Sequence, residues 1–196
     1  MKKLFVFVSL FTCFSLMFCI ISPTVEASES ISKKVLRIHI LANSDSEEDQ
    51  MLKLKVRDSV INISEKIFSD CNSLNEAIVS AQDNVDSIEK TAKRTIVENG
   101  YNYSVKTEIT KEYFSTRKYE SFTLPAGVYN SIKIVIGNGE GHNWWCVMFP
   151  QVCLSGCTDD FDDYLSTEEK ELITSGGFSV KFKIIEIYER IKDKLF

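Results

Sequence analysis

Nine residues, HNWWCVMFP from His142 to Pro150, bring together side chains that could do chemistry. An imidazole that takes the proton of a thiol creates a thiolate nucleophile, so His142 and Cys146 could serve a cysteine-dependent hydrolase. On a strand, however, four residues at about 3.3 Å each separate two side chains by about 13 Å. The pair therefore predicts catalysis only if the loop folds tightly, and a disulfide at Cys146 would exclude it.

Neighbouring residues raise two further kinds of site, for zinc and for phosphate. Zinc could take His142 with Cys146, Cys153 and Cys157, but the spacing lacks the short cysteine pairs that make such sites recognisable. The glycines of GNGEG have strand-like sequence on both sides, whereas a dinucleotide fingerprint joins a strand to a helix. The acidic stretches SDSEED and DDFDD are typical of helix capping and of a solvated turn. We therefore expect a hairpin loop, with no metal and no cofactor.

The two adjacent tryptophans, Trp144 and Trp145, face opposite sides of the sheet if they lie on a strand. One interpretation is that one ring packs inside while the other lies under the C-terminal helix. The alternative is that the outward ring anchors a partner protein, a role in which tryptophan is enriched.

The N-terminus has the layout of a secretory signal. Lys2 and Lys3 precede an uncharged apolar run from Leu4 to Ile21, and Val25 and Ala27 occupy the positions that a signal peptidase reads. We predict a signal peptide over residues 1–27, with an uncleaved membrane anchor as the alternative. Residues 28–196 are then a single exported domain. Its charge is one unit more negative than the −5 of the whole chain, which argues against nucleic-acid binding.

Four cysteines remain outside this leader, namely Cys71, Cys146, Cys153 and Cys157. An even number in an exported chain favours disulfides, with three possible connectivities. We favour Cys146 with Cys153, because Pro150 between them lets the chain turn back. Cys71 and Cys157 are then either paired with each other or free.

The order of predicted elements indicates an α+β fold. A buried central strand runs from Val35 to Leu41, and capping residues Asn43 to Ser46 begin a helix that reaches about Ser69. A second long helix runs from the capping box Ser73 and Glu76 to Asn99. The remaining predictions are strands at 101–114, 117–124, 128–136 and 144–149, a short helix from Ser166 to Gly176, and a C-terminal helix. The fold class is an antiparallel sheet of about four to five strands, with two long helices after the first strand and a C-terminal helix.

Two stretches carry a resemblance to a known family. RIHILANSDSEEDQMLKLKVRD, from Arg37 to Asp58, and GHNWWCVMFP, with Cys153 close behind, resemble stage II sporulation protein R of endospore-forming bacteria. The resemblance implies a ligand rather than an enzyme. It implies secretion across the forespore membrane into the space between forespore and mother cell. There such proteins activate a membrane-embedded aspartic protease of the mother cell, which then processes the sigma-E precursor.

The motif positions of that family also imply a set of candidate partner-binding residues: Arg37, Asn43, Ser44, Asp45, Lys53, Arg57, His142, Asn143, Trp144 and Trp145. Packing, helix caps and surface ion pairs are the competing explanations for the polar members. The expected partner is the protease, with no nucleic acid and with membrane contact only through the signal segment. For the C-terminal ERIKDKLF, lipid contact and ordinary packing both remain open.

Overall fold

The structure is a computed structural model that describes residues 2–119, 122–150, 164–174 and 180–195. Its elements in chain order are α1 Lys2–Ser32, β1 Leu36–Leu41, α2 Glu47–Phe68, α3 Leu74–Asp83, α4 Val85–Glu98, β2 Val105–Phe114, β3 Arg117–Lys118, β4 Thr123–Leu124, β5 Gly127–Ile136, β6 Asn143–Phe149, α5 Thr167–Thr174 and α6 Val180–Leu195.

The chain divides into two compact units, which are described separately. The first contains residues 1–31, 114–127 and 165–196, and the second contains residues 32–113 and 128–164. The sequence-based division at residue 27, with a single domain behind it, stays a prediction.

Four strands of the second unit form one sheet in the order β2, β5, β1, β6. Ile38 of β1 lies opposite Ile132 of the parallel β5 and opposite Cys146 of the antiparallel β6. The predicted antiparallel sheet is only partly correct, because the four-stranded sheet is mixed. A parallel pair needs a long crossover, and the segment containing α2, α3 and α4 provides it between β1 and β5. The central place of β1 is confirmed, as expected of a strand with apolar residues on both faces.

Three helices, rather than the predicted two, cover one face of this sheet. α2 begins after Ser46, whose side chain accepts from the backbone N–H of Asp49, and it ends within a residue of the predicted end. The second predicted helix is interrupted at Asn84, where the backbone leaves the helical region. The Asn84 side-chain amide donates to the Ser80 carbonyl at 2.9 Å. Asparagine competes in this way with the backbone bonds of a helix, which explains the break.

The core lies between these helices and the sheet. It is built from aliphatic residues of the strands, such as Ile38, Ile40 and Ile134, and from the apolar stripe of α2, including Val56 and Val60. Burial of each such side chain contributes about 1.5–3 kcal/mol. This core fixes where the ends of β1, β5 and β6 lie, and so determines which loops meet.

The first unit contains α1, α5, α6 and a small hairpin. The single strand predicted over residues 117–124 is instead the pair β3 and β4, and the rings of Tyr119 and Phe122 stack with centroids 4.7 Å apart. The predicted start of the short helix at Ser166 is confirmed, since Ser166 Oγ accepts from the Glu169 N–H and Glu169 Oε2 accepts from the Ser166 N–H at the start of α5. The C-terminal helix is confirmed as α6. Searched over the described residues, no helix has both the length and the hydropathy needed to cross a membrane.

Candidate functional site

The loop between β1 and α2, residues Ala42–Asp45, is called the ANSD loop. Asn43 Nδ2 and Ser44 Oγ donate to the same carboxylate oxygen of Asp49, at 2.8 and 2.6 Å. The Tyr103 hydroxyl donates to the same carboxyl group, which raises the pKa of Tyr103. Burial raises the pKa of Asp49, but these hydrogen bonds outweigh burial and lower it. Asp49 is thus a buried anion whose hydrogen bonds hold the ANSD loop in place.

The loop between β5 and β6, Gly137–Gly141, is called the glycine loop, and it lies directly on the ANSD loop. Asn43 Oδ1 accepts from the Asn138 N–H at 3.0 Å, and the Ala42 carbonyl accepts from the Gly141 N–H at 3.0 Å. A side chain at Gly137 would collide with Asn43, and one at Gly141 would collide with the Ser44 carbonyl. Gly137 also has φ +57°, a conformation that favours glycine. The glycines serve close packing of two loops. The predicted hairpin loop is wrong, because β5 and β6 lie on either side of β1 and do not pair with each other.

His142, which follows the glycine loop, contacts the ANSD loop at the protein surface. Both its backbone N–H and its ring Nδ1 contact Asp45 Oδ1, and the hydrogen bonds lower the pKa of Asp45. The His142 side chain is 80% exposed and the Asp45 side chain is 54% exposed. The buried Lys53 donates to the His142 carbonyl at 2.9 Å and to Gln50 Oε1. Burial lowers the pKa of Lys53 despite the nearby Asp45 carboxylate.

The two tryptophans lie on opposite faces of the sheet, as predicted. Trp144, opposite Ile40, packs against the core on the helix side, and the Arg57 guanidinium lies 5.3 Å from its ring centroid. Trp145, opposite His39, stacks on the imidazole of that residue with centroids 5.3 Å apart. Both rings are half-buried. Trp145 is therefore the tryptophan that faces away from α2.

A polar network surrounds Trp145 on that face. His39 Nδ1 lies 2.9 Å from Glu112 Oε2, and His39 Nε2 lies 2.9 Å from Asn143 Oδ1. Lys133 Nζ lies 3.9 Å from the same Glu112 oxygen. Burial raises the pKa of Glu112, but the hydrogen bond with His39 and the nearby Lys133 outweigh it and lower that pKa. The network orients the Trp145 ring and the exposed Asn143 side chain.

Arg37, another sequence-predicted residue, is fully buried, and its guanidinium lies 4.9 Å from the centroid of the Tyr129 ring. We assign Arg37 to packing in this face of the sheet. The structure thus brings nine of the ten candidates to one end of the sheet, at or beside the ANSD loop and the glycine loop, and places Arg37 near the other end of β1.

Known proteins match the part of the chain that contains the ANSD loop and the glycine loop. The family model described as Stage II sporulation protein R matches residues 32–159. The chain belongs to this family. A curated relative, Stage II sporulation protein R of Bacillus subtilis (strain 168), is 37% identical over 152 residues. The alignment covers 76% of this chain and 66% of the relative, so the chain spans just under two thirds of that protein. No solved structure matches.

The resemblance to stage II sporulation protein R, predicted from two motifs, is therefore confirmed. Membership in this family supports a role in sporulation. The matched range contains the ANSD loop, the glycine loop, β6 and all ten candidate residues. It ends before α5 and α6 begin.

The hydrolase alternative has weak geometric support. Cys146 lies on the helix side of β6 among core residues, whereas His142 is exposed and contacts Asp45. Cys146 is disulfide-bonded, and a sulfur in a disulfide is not a thiolate nucleophile. Its partner lies outside the described side chains, as do the predicted positions Cys153 and Cys157, so the Cys146–Cys153 pairing stays a prediction. Cys71 is a free, half-buried thiol whose pKa is raised by burial.

Within the described part of the chain, no group of three or more acidic, histidine or cysteine side chains is arranged to hold a metal. Cys153 and Cys157, which were considered for a zinc site and not favoured, lie outside that part.

Sequence reasoning missed two functional positions. Asp49 belongs to the acidic stretch that is typical of helix capping, and its place three residues after Ser46 also puts it within reach of the ANSD loop. His39 was interpreted only as part of a buried strand. A second polar residue, besides Arg37, in a mostly aliphatic strand is the available signal, but its partners Glu112 and Asn143 are 73 and 104 positions away.

Proposed function

We propose that the chain is an exported sporulation signal that activates a membrane-embedded aspartic protease of the mother cell. The protease then processes the sigma-E precursor. The signal acts in the space between forespore and mother cell, and it acts by docking rather than by catalysis. Support comes from family membership and from the arrangement of the two motif stretches.

One observation carries the proposal. Asp45 and His142, 97 positions apart, are in direct contact, so both motif stretches contribute to one surface. Asp49 and the close contact with Gly137 hold that surface in place. A surface whose backbone is fixed before binding loses little conformational freedom on association.

The docking surface comprises the exposed side chains of Asp45, His142 and Asn143, with the half-buried Trp145 as its anchor. Tryptophan in such a place buries a large area with few rotatable bonds. For activation, this surface must bind the active receptor more tightly than the resting one, because equal affinity would shift no population.

The test is co-expression of the full chain, with its own leader, beside the receptor protease and a sigma precursor whose cleavage is measured. Trp145→Ala should lower cleavage by about tenfold or more, since truncating a binding hot spot costs about 2 kcal/mol. The matched control is Val97→Ala, an exposed apolar residue on α4. Secreted levels and circular dichroism establish that each variant is folded.

The same experiment separates docking from the hydrolase alternative. Docking predicts that Cys146→Ser lowers cleavage only as far as it lowers the amount of folded protein. If His142→Ala and Cys146→Ser abolish cleavage in folded, secreted protein while Trp145→Ala has no effect, the docking proposal fails. Peptide mapping of the secreted protein tests the Cys146–Cys153 disulfide and cleavage after Ala27.

A further inference from the structure

The outer face of α6 carries an unusual set of exposed apolar side chains. Ile187, Tyr188 and Ile191 are 52%, 40% and 53% exposed. At about 100° per residue they project within about 100° of one another around the helix axis. Phe182, Ile185 and Glu189 are buried and project from roughly the opposite side. The helix therefore has an apolar stripe on its outer side in addition to its packed face.

Cations border this stripe on both edges. By the same helical geometry, Lys183 and Arg190 project along one edge and Lys192 along the other. All three are exposed, and each has a carboxylate partner, Glu186 for the first two and Glu29 for Lys192. An apolar stripe between long basic side chains is typical of a helix that lies in the plane of a membrane interface. The basic side chains can then reach the headgroups while the stripe enters the acyl boundary.

The position of α6 beside α1 favours a lipid surface as the occupant. Glu29, near the end of α1, contacts Lys192 Nζ at 2.6 Å and the Tyr188 hydroxyl at 3.5 Å. The apolar run of the leader ends at Ile21, eight residues earlier in the same helix, or about 12 Å at 1.5 Å per residue. The first unit thus places the stripe of α6 close to the segment that is predicted to enter the membrane during export.

We propose that the outer face of α6 binds the surface of a phospholipid bilayer through Ile187, Tyr188 and Ile191, with Lys183, Arg190 and Lys192 at the headgroups. Glu29 follows the predicted cleavage site, so this contact survives removal of the leader. It would keep an exported signal at a membrane instead of releasing it into the intermembrane space. The inference is independent of which protein the chain activates.

The test uses the full chain and vesicles of phosphatidylcholine and phosphatidylglycerol. An environment-sensitive fluorescent amino acid replaces Ile191 or, as the matched control, Val97 of α4, which has the same 53% exposure. Because the leader brings either protein to the vesicle, the comparison reports on α6 itself. Lipids with a quencher at the headgroup should quench the Ile191 probe severalfold more than the Val97 probe.

Two variants test the mechanism. Ile187→Ser with Tyr188→Ser should reduce quenching at Ile191 to the Val97 level with an unchanged circular dichroism spectrum. If that variant does not fold, Lys183→Gln with Arg190→Gln, which leaves the apolar positions intact, should reduce quenching in vesicles that contain phosphatidylglycerol. Equal quenching at both probes overturns the proposal. So does an Ile191 probe that is shielded without vesicles and exposed on dilution, because a second copy would then cover the stripe.

Discussion

Two polar clusters flank the N-terminal end of β6 and differ in how they are built. Around Asp49, two of the donors, Asn43 and Ser44, come from positions only six and five residues away in the chain. Around His39, Glu112 and Asn143 come from two other strands, 73 and 104 positions away. The first cluster holds a loop in place and is largely a local structure. The second exists only after the sheet has formed, and it orients the proposed docking anchor.

The comparison predicts that a change in the contact between the ANSD loop and the glycine loop mainly lowers the free energy of unfolding. A change in the network around His39 should mainly alter the orientation of the Trp145 ring. The ANSD loop packs so closely against Gly137 and Gly141 that it has little room to adjust. The network around His39 instead holds the half-buried ring of Trp145 through side-chain contacts. Four substitutions test this difference, in order of expected effect.

Gly137→Ala should have the largest effect. The new methyl group collides with the Asn43 side chain, and the backbone keeps a positive φ, so we expect a loss of about 2–4 kcal/mol in the free energy of unfolding. Gly100→Ala is the matched control, because φ is +86° there and nothing lies within 4 Å of the added atom. It should cost only the backbone strain, about 1–2 kcal/mol. Equal losses in urea unfolding would show that the two loops are not in tight contact.

Asp49→Asn keeps the shape of the side chain but removes the anion that Asn43, Ser44 and Tyr103 contact. We expect a loss of about 1–3 kcal/mol at neutral pH, because hydrogen bonds to a buried charge are lost. The lowered pKa of Asp49 sets the pH dependence. The contribution is complete above the unfolded pKa of about 3.9 and disappears as pH falls through the lower folded value. Unfolding midpoints of wild type and variant should therefore converge in acid, and a constant difference would contradict this account.

Glu112→Gln should have a smaller effect on stability, about 0.5–1.5 kcal/mol, since one charge-assisted bond to His39 is weakened. The pKa of Glu112 is also lowered, so this contribution is present above the unfolded value of about 4.3 and is lost as pH falls further. The informative measurement is a double-mutant cycle with His39→Gln. The free energy of unfolding and the tryptophan fluorescence spectrum are measured for each protein in the cycle. Additive effects and an unchanged spectrum would mean that the pair does not orient Trp145.

Asp45→Asn should have the smallest effect, because the Asp45 and His142 side chains are both largely exposed. We expect no shift of the unfolding midpoint beyond error at physiological salt. The hydrogen bond from His142 lowers the pKa of Asp45, so His142→Ala should raise that pKa in a carboxyl NMR titration. An unchanged titration would place the imidazole away from Asp45 in solution. A marked loss of stability in Asp45→Asn would show that the exposed contact between Asp45 and His142 also holds the two loops together.

Elements formed by near neighbours were predictable. The caps at Ser46, Ser73 and Ser166 each bond a backbone N–H three residues later, and all three helix starts were predicted. The opposite orientation of Trp144 and Trp145 follows from the period of a strand. The break at Asn84 was missed, because the apolar stripe continues through it. The hairpin of β3 and β4 was missed because both halves carry strand-forming residues.

By itself, the sequence determined the helix starts at Ser46, Ser73 and Ser166, the central strand and the family, because these depend on residue types at short, regular spacing. Only the tertiary structure decided that β1 is parallel to β5, that Asp45 contacts His142 and that His39 lies between Glu112 and Asn143. The physical reason is distance along the chain. A bond between near neighbours follows from backbone geometry, whereas partners 73 to 104 positions apart meet only where the packed core places their strands.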